Sequence, residues 1–284
     1  MRLGVNWYLN FFCNYTCSYC YARDIFKEHW GQLEFNSQEV ALILDCIKNS
    51  TNPLDITLLG GEPTKDLNFI KIINTLGAIN NGTKTVVSTN ASFSMDFIKK
   101  INPSKNITFS FSFHPEQCDT QEFIAKAITL RDLGFEVLPQ ILLHPNKKFW
   151  EKIEIALKNL KSNSFQVSVD FLKDYKKKYS TDFWEWSKKL ISTEEQFKGT
   201  EGISDFYTLS KNKQNSFKGW NCWNNVFVIT PKGHITQSCS GKDFGNIIDS
   251  PQFFSSQKEI KPQICPTEIC PCKEWLNFKK EKLS

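Results

Sequence analysis

The sequence predicts an α/β fold with a parallel sheet, followed by a small cysteine-rich hairpin domain. Three observations carry that reading. Apolar runs of strand length alternate with helical patterns as far as Phe171. The alternation stops at Tyr179, and a turn-centred hairpin pattern bracketed by cysteines follows. The 284 residues, 40% hydrophobic and 23% charged, suffice for one large domain and a small one.

The elements follow in order. The first strand runs from about Gly4 to Phe12, and a helix from Ser37 to Asn49. Ser37 is its expected N-cap, with Val40, Ile43, Leu44 and Ile47 on one face. Strand two spans Asp55 to Leu59, and the next helix Leu67 to Ile79. Strand three is Lys84 to Thr89, a short helix Met95 to Ile101, and strand four Ile107 to Phe113. A long helix from Thr120 to Leu133 ends at Gly134. Strand five is Phe135 to Leu143, a helix Lys148 to Leu160, and strand six Phe165 to Phe171. Such alternation implies parallel pairing through right-handed crossovers. An aromatic-rich helix, Thr181 to Ser192, is expected to pack on this core or wall a substrate; Glu194 to Phe217 reads as a polar linker. Val226 to Ile229 and His234 to Gln237 form the hairpin around Pro231-Lys232-Gly233, ending at Cys239. The expected domains are 1–200 and 201–284.

Composition narrows the functional classes. The net charge of +5 is modest, and Lys176-Lys177-Lys178 and Lys279-Lys280 read as solvated surface, so no nucleic-acid partner is expected. No apolar run is long enough to span a bilayer. Met1-Arg2-Leu3-Gly4 has no signal-peptide layout, so the expected location is cytoplasmic. Ten cysteines in that setting point to metal or catalysis rather than disulfides.

Cys13, Cys17 and Cys20 form a C-x3-C-x2-C group just after the first strand. Thiolates are soft ligands that suit iron–sulfur clusters, and this spacing lets one loop wrap one face of a cubane. Three ligands leave a fourth iron open. A zinc site or buried thiols are the alternatives. Gly60-Gly61-Glu62-Pro63 follows strand two, where glycine allows a tight turn and close backbone approach.

Together these two motifs resemble the radical S-adenosylmethionine (radical SAM) enzymes. The resemblance implies a partial (β/α)6 TIM-like barrel with its chemistry at the C-terminal strand ends. It implies a [4Fe–4S] cluster whose open iron takes the amino and carboxylate groups of SAM. One electron then cleaves SAM to a 5'-deoxyadenosyl radical, which abstracts a substrate hydrogen. Gly60, Gly61 and Glu62 match the stretch that seats the SAM amino group. Ser88-Thr89-Asn90 resembles the family's T-N-G, and Ala91 in place of glycine asks for an ordinary backbone angle. Ser112 matches a SAM-contacting serine; His114 stands where relatives carry aspartate, and Glu122 is near the place of a missing arginine. Tyr19 matches the aromatic beside adenine, and Leu172 is a second adenine contact. His114 and Asp170 are the candidate catalytic groups, with His144 behind them, and Gln140 is a candidate to point into the barrel.

Cys222, Cys239, Cys265, Cys270 and Cys272 resemble the twitch or SPASM extension of that family, which holds auxiliary clusters. Five thiols imply one auxiliary [4Fe–4S] cluster, on Cys222, Cys239, Cys270 and Cys272 or with Cys265 in the set; a zinc knuckle is the alternative. Cys46 and Cys118 are expected to be unliganded. The resemblance implies a flavodoxin- or ferredoxin-type electron donor. The leading substrate is a peptide, as for ribosomal-peptide maturases, although no leader-binding domain precedes the barrel. A sugar or small molecule to be dehydrogenated is the alternative. A zinc-stabilised binding protein is the reading from another class.

Overall fold

Period-two burial along the strands lays six of them side by side in parallel. They are β1 (Leu3–Tyr8), β2 (Leu54–Leu59), β3 (Lys84–Thr89), β4 (Ile107–Phe113), β5 (Glu136–Leu143) and β6 (Ser168–Phe171). The chain is described by a computed structural model over residues 1–33, 37–172, 180–191, 216–266, 268, 270 and 278–282. Between the strands run α1 (Tyr21–Ile25), α2 (Ser37–Lys48), α3 (Phe69–Gly77), α4 (Met95–Ile98), α5 (Thr120–Asp132) and α6 (Trp150–Ser162). The helix α7 (Thr181–Ile191) follows β6. This is the α/β partial barrel that the sequence predicts.

Alternation sorts the strand side chains. Val5, Trp7, Ile56, Leu58, Val87, Phe109, Phe111 and Ile141 form one buried face, continuous with Ile43, Ile72, Phe123 and Ile153 of the helices. Full burial of each such side chain contributes roughly 1.5–3 kcal/mol. The opposite, inner face is half-buried and largely polar: Asn6, Thr57, Ser88, Ser110, Ser112, Gln140 and Asp170.

The C-terminal segment extends the same sheet. It contains β7 (Asn221–Cys222), β8 (Val226–Ile229), β9 (His234–Gln237), β10 (Asp243–Asn246), α8 (Phe253–Ser256), β11 (Gln263–Ile264) and β12 (Lys280–Glu281). The hairpin β8–β9 has the predicted bounds, yet β8 pairs parallel with β1, giving the nine-stranded order β10-β9-β8-β1-β2-β3-β4-β5-β6. Gly4 permits this approach, since a Cβ there would lie 2.7 Å from a Val226 methyl. The antiparallel set β11-β7-β12 forms a separate small sheet.

Several expected boundaries move for local reasons. The first strand ends at Tyr8, not Phe12, because Asn10 Oδ1 accepts the Phe12 N–H and Phe11 pairs with Gly31 and Gln32. Strand six starts at Ser168, not Phe165. Ser164 turns left-handed (φ 63°) after α6, and the Phe165 N–H closes on Leu160 O. The helix after strand two starts at Phe69, not Leu67, because Pro63–Lys65 forms a separate 3-10 turn. Likewise α6 starts at Trp150, after a 3-10 turn over Lys147–Phe149. Ser37 is the first residue of α2, and its hydroxyl donates to Asn68 Oδ1 at 2.8 Å rather than capping. Most of the predicted linker, the Lys176-Lys177-Lys178 run and Cys272 lie outside the described residues.

Candidate active site

The three clustered cysteines occupy the loop that leaves β1, at the C-terminal ends of the barrel strands. The Gly60–Glu62 turn is stapled to the stem of this loop. Gly61 N–H donates to Asn10 O (3.2 Å), Glu62 N–H donates to Phe12 O (2.7 Å), and Asn10 Nδ2 donates to Glu62 O (3.1 Å). A Cβ on Gly61 would lie 2.1 Å from Phe12 O and 2.7 Å from Cys13 N, so only glycine admits this crossing.

Glu62 is 1% exposed. Its carboxylate accepts from Thr64 N–H (3.1 Å), Thr64 Oγ1 (2.5 Å), Thr89 Oγ1 (2.6 Å) and Asn90 N–H (2.7 Å). Burial pushes its pKa above the ordinary carboxylate range despite those donors. The carboxylate therefore ties the end of β3 to the turn after β2.

Asn90 in turn reaches the cysteine loop: Nδ2 donates to Cys13 Sγ at 3.7 Å and to Asn14 Oδ1 at 3.3 Å. Ser92 Oγ donates to the same Asn14 oxygen at 2.9 Å. Ala91, expected at an ordinary backbone angle, is instead left-handed (φ 58°), the region that favours glycine. Two contacts hold it there. Its N–H donates to Thr89 Oγ1, and its carbonyl accepts from the buried Lys126 ammonium at 2.8 Å.

The far limb of the loop is tied to β4 and β5. Ser18 N–H donates to Glu116 Oε2 (2.7 Å) and Ser18 Oγ to Glu116 Oε1 (2.5 Å). His144 Nε2 meets Glu116 Oε1 at 3.0 Å. Burial opposes the Glu116 charge, but Ser18 and His144 outweigh it and hold the carboxyl below its ordinary range. The Tyr19 hydroxyl meets His114 Nδ1 at 3.1 Å, and the two rings stack at 6.0 Å. Desolvation pushes the His114 pKa down to about 4, so the ring is neutral at pH 7. Desolvation also raises the thiols, Cys13 to about 12 and Cys17 to about 11, so both stay protonated unless a cation takes the proton's place.

The remaining candidates separate. Ser88 pairs in register with Ser110 on the inner face. Ser112, Gln140 and Asp170 are brought together there: Gln140 Nε2 donates to Asp170 Oδ2 at 2.9 Å, and Ser112 Oγ makes a 3.5 Å contact to Gln140 Oε1. Leu172 is buried beyond the end of β6. Glu116, Asn14, Thr64 and Lys126 escaped sequence reasoning. For Glu116 no local signal was available, since the partner that gives it a role, Ser18, is 98 residues away.

In the C-terminal segment Cys222, Cys239, Cys265 and Cys270 line one cleft with Asn224, Gln237 and Ser238. Cys265, one of two ways to complete the expected set, stands beside Cys222, whose pKa rises by burial first and by the neighbouring Cys265 as well. Cys46 and Cys118 lie elsewhere in the buried core. Among the described residues no three His, Cys, Asp or Glu groups converge as a single bound ion requires. A cubane differs, because it takes each thiolate on its own iron.

Comparison with known proteins agrees with this geometry. The family model described as the radical SAM superfamily matches residues 7–171. The chain belongs to that superfamily and is an enzyme. No curated protein matches by sequence. Among solved structures, anSMEcpe with bound AdoMet and Cp18Cys peptide is 16% identical, with a TM-score of 0.57 over 90% of this chain and 80% of that one. Streptococcus suis SuiB is also 16% identical, with a TM-score of 0.57 over 91% of this chain and 66% of that one. At such identity the likeness is one of fold.

The family uses a [4Fe–4S] cluster and SAM, and the residues present fit both. Three soft donors sit on one loop that is held from both sides. Beside that loop is a turn whose second glycine leaves no room for a side chain. When bound, the cluster supplies the electron that splits SAM. The chain's own residues hold the loop, lock the turn after β2 to the end of β3 through the buried Glu62 carboxylate and leave a polar inner wall below.

Proposed function

We propose that this radical SAM enzyme modifies a peptide and carries one auxiliary [4Fe–4S] cluster in its C-terminal segment. The observation that carries the auxiliary cluster is the convergence of Cys222, Cys239, Cys265 and Cys270 on one cleft. Four thiolates complete a cubane; Cys265 or Cys272 is the fourth ligand beside Cys222, Cys239 and Cys270, and Cys272 lies outside the described residues. The peptide substrate is supported by anSMEcpe, a structure of similar fold with a peptide bound. Cys13, Cys17 and Cys20 hold the SAM-cleaving cluster. Gly60, Gly61, Glu62 and Asn90 seat the amino end of SAM, with Ser88 and Ser112 on the inner wall. Tyr19 and Leu172 flank the adenine, and Asp170 and His114 meet the substrate. A flavodoxin- or ferredoxin-type protein supplies the electron, and the protein works in the cytoplasm; no helix among the described residues is long and apolar enough to cross a membrane. Residues 1–200 form the core domain and 201–284 the accessory one.

A second reading keeps the chemistry and changes the substrate. The Ser112–Gln140–Asp170 array also suits a hydroxylated small molecule, which would be dehydrogenated. Anaerobic metal analysis and isotope transfer test both. About eight irons per chain with matching sulfide are expected, against about four and a zinc if the C-terminal site is a knuckle. Deuterium passing from a side-chain-labelled peptide into 5'-deoxyadenosine supports the peptide reading. Transfer from a labelled sugar alone overturns it.

A further inference from the structure

We infer that Glu116 and His144 are positioning residues that clamp the Cys17–Cys20 limb of the cluster loop against the ends of β4 and β5. The inference rests on the proposed use of Cys13, Cys17 and Cys20 as cluster ligands. The near limb of the loop is held by backbone contacts from Phe12 and by Asn90. The far limb carries two of the three thiols, and Glu116 grips Ser18 between them through both its N–H and its hydroxyl. That is a two-point grip, one donor to each carboxylate oxygen, and it fixes orientation as well as position.

Glu116 is itself oriented. His144 Nδ1 accepts the Asn146 N–H at 3.0 Å, so the ring proton lies on Nε2 and donates to Glu116 Oε1 at 3.0 Å. The ring is held edge-on by Phe149, and Trp150 Nε1 donates to the His144 carbonyl. A chain of contacts thus runs from the start of α6 through His144 and Glu116 to Ser18. It places a carboxylate one residue from Cys17 without making it a ligand. Partners of this kind typically change metal affinity or activity 10–100-fold when removed.

The test compares reconstituted wild type with Glu116→Ala, Glu116→Gln, Ser18→Ala and Glu116→Ala/His144→Ala, each checked for folding by circular dichroism. The readouts are the rate of iron loss to a chelator and the midpoint potential of the SAM-free barrel cluster. Glu116→Ala is expected to lose iron about 10–100-fold faster. Glu116→Gln falls between it and wild type, since one acceptor oxygen survives. Adding His144→Ala to Glu116→Ala adds less than the Glu116 change itself, because His144 acts on this limb chiefly through Glu116, its ring otherwise meeting Tyr19 edge-on at 5.4 Å. Both Glu116 variants lose a negative charge beside the loop, so the potential moves to less negative values. If Glu116→Ala does not fold, Ser18→Ala decides, with roughly fivefold faster iron loss expected for one missing hydrogen bond. Iron loss and potential like wild type in a folded variant overturn the clamp alone. Wild type that assembles no cluster on this loop overturns the clamp and the proposed function together.

Discussion

Two groups of cysteines, one at the barrel mouth and one in the C-terminal segment, are held by different means. Around Cys13, Cys17 and Cys20 the fold arrives with its polar contacts made. Glu62, 1% exposed, takes four donors, and Asn90 and Glu116 reach the loop from opposite sides. Around Cys222, Cys239, Cys265 and Cys270 the described residues make buried amide contacts, Gln237 to Asn224 and Asn224 to Ser238, but only short strand pairings. Strand β7 has two residues, and each of its two partners matches it over two. Each group has a non-glycine residue in left-handed conformation, Ala91 at φ 58° and Cys239 at φ 66°. Ala91 is held by a buried lysine; Cys239 is itself one of the thiols. A site that must leave an iron open for SAM needs a rigid frame. In the proposed function the C-terminal thiols close around a cluster, and such a site can take its order from the metal.

The largest effect expected from breaking this contrast is chemical. Replacing Cys13, Cys17 and Cys20 with alanine abolishes 5'-deoxyadenosine formation and removes about four irons. Replacing Cys222, Cys239, Cys265 and Cys270 removes about four others and spares uncoupled SAM cleavage. Chromatography and iron analysis check both, and loss of cleavage in the second set would make the two groups one unit. Next comes backbone fit. Gly61→Ala destabilises by about 3 kcal/mol or more, because its Cβ would meet Phe12 O at 2.1 Å. Gly241→Ala, at φ 64° with open space around it, costs only about 1 kcal/mol. Urea melts of the two apoproteins compare them.

A pH series sharpens the same point. The folded His114 pKa of about 4 lies below its ordinary 6.5, so the neutral ring's contribution is complete above pH 6.5 and is lost as pH falls towards 4. Relative to His114→Gln, the wild-type apoprotein loses about 2–3 kcal/mol across that window, read from urea midpoints at each pH. The smallest effect belongs to Ala91→Gly. Relief of about 1 kcal/mol of left-handed strain is offset by the greater freedom of glycine in the unfolded chain, leaving a net change within about 0.5 kcal/mol. A loss above about 2 kcal/mol would show that packing of the Ala91 methyl, 3% exposed, outweighs the strain.

The barrel was legible because two periodicities alternate cleanly: β3, β4 and the β8–β9 hairpin have their predicted bounds. Boundaries failed where a side chain competes with the ladder. Asn10 ends β1 early through its own carboxamide, and apolar patterning does not register that. The motif residues of the barrel mouth were legible, since short motifs fix chemistry at fixed offsets. Glu116 was not, because a glutamate two residues after a histidine at a strand end reads as solvated turn. Its value comes from Ser18, which is 98 residues away in the chain. Ala91 was misread for a related reason. What fixes its angle is Thr89 Oγ1 together with Lys126, a residue whose type gives no hint of burial.

The parallel seam between β1 and β8 has a consequence for biosynthesis. Asn225 Nδ2 donates to Arg2 O across 223 residues, so the neighbour of the first strand leaves the ribosome long after that strand does. Until then the nascent barrel carries an unpaired flank, open to other chains. Products truncated before Val226 are therefore expected to aggregate, and full-length folding to end with a slow closure of that seam.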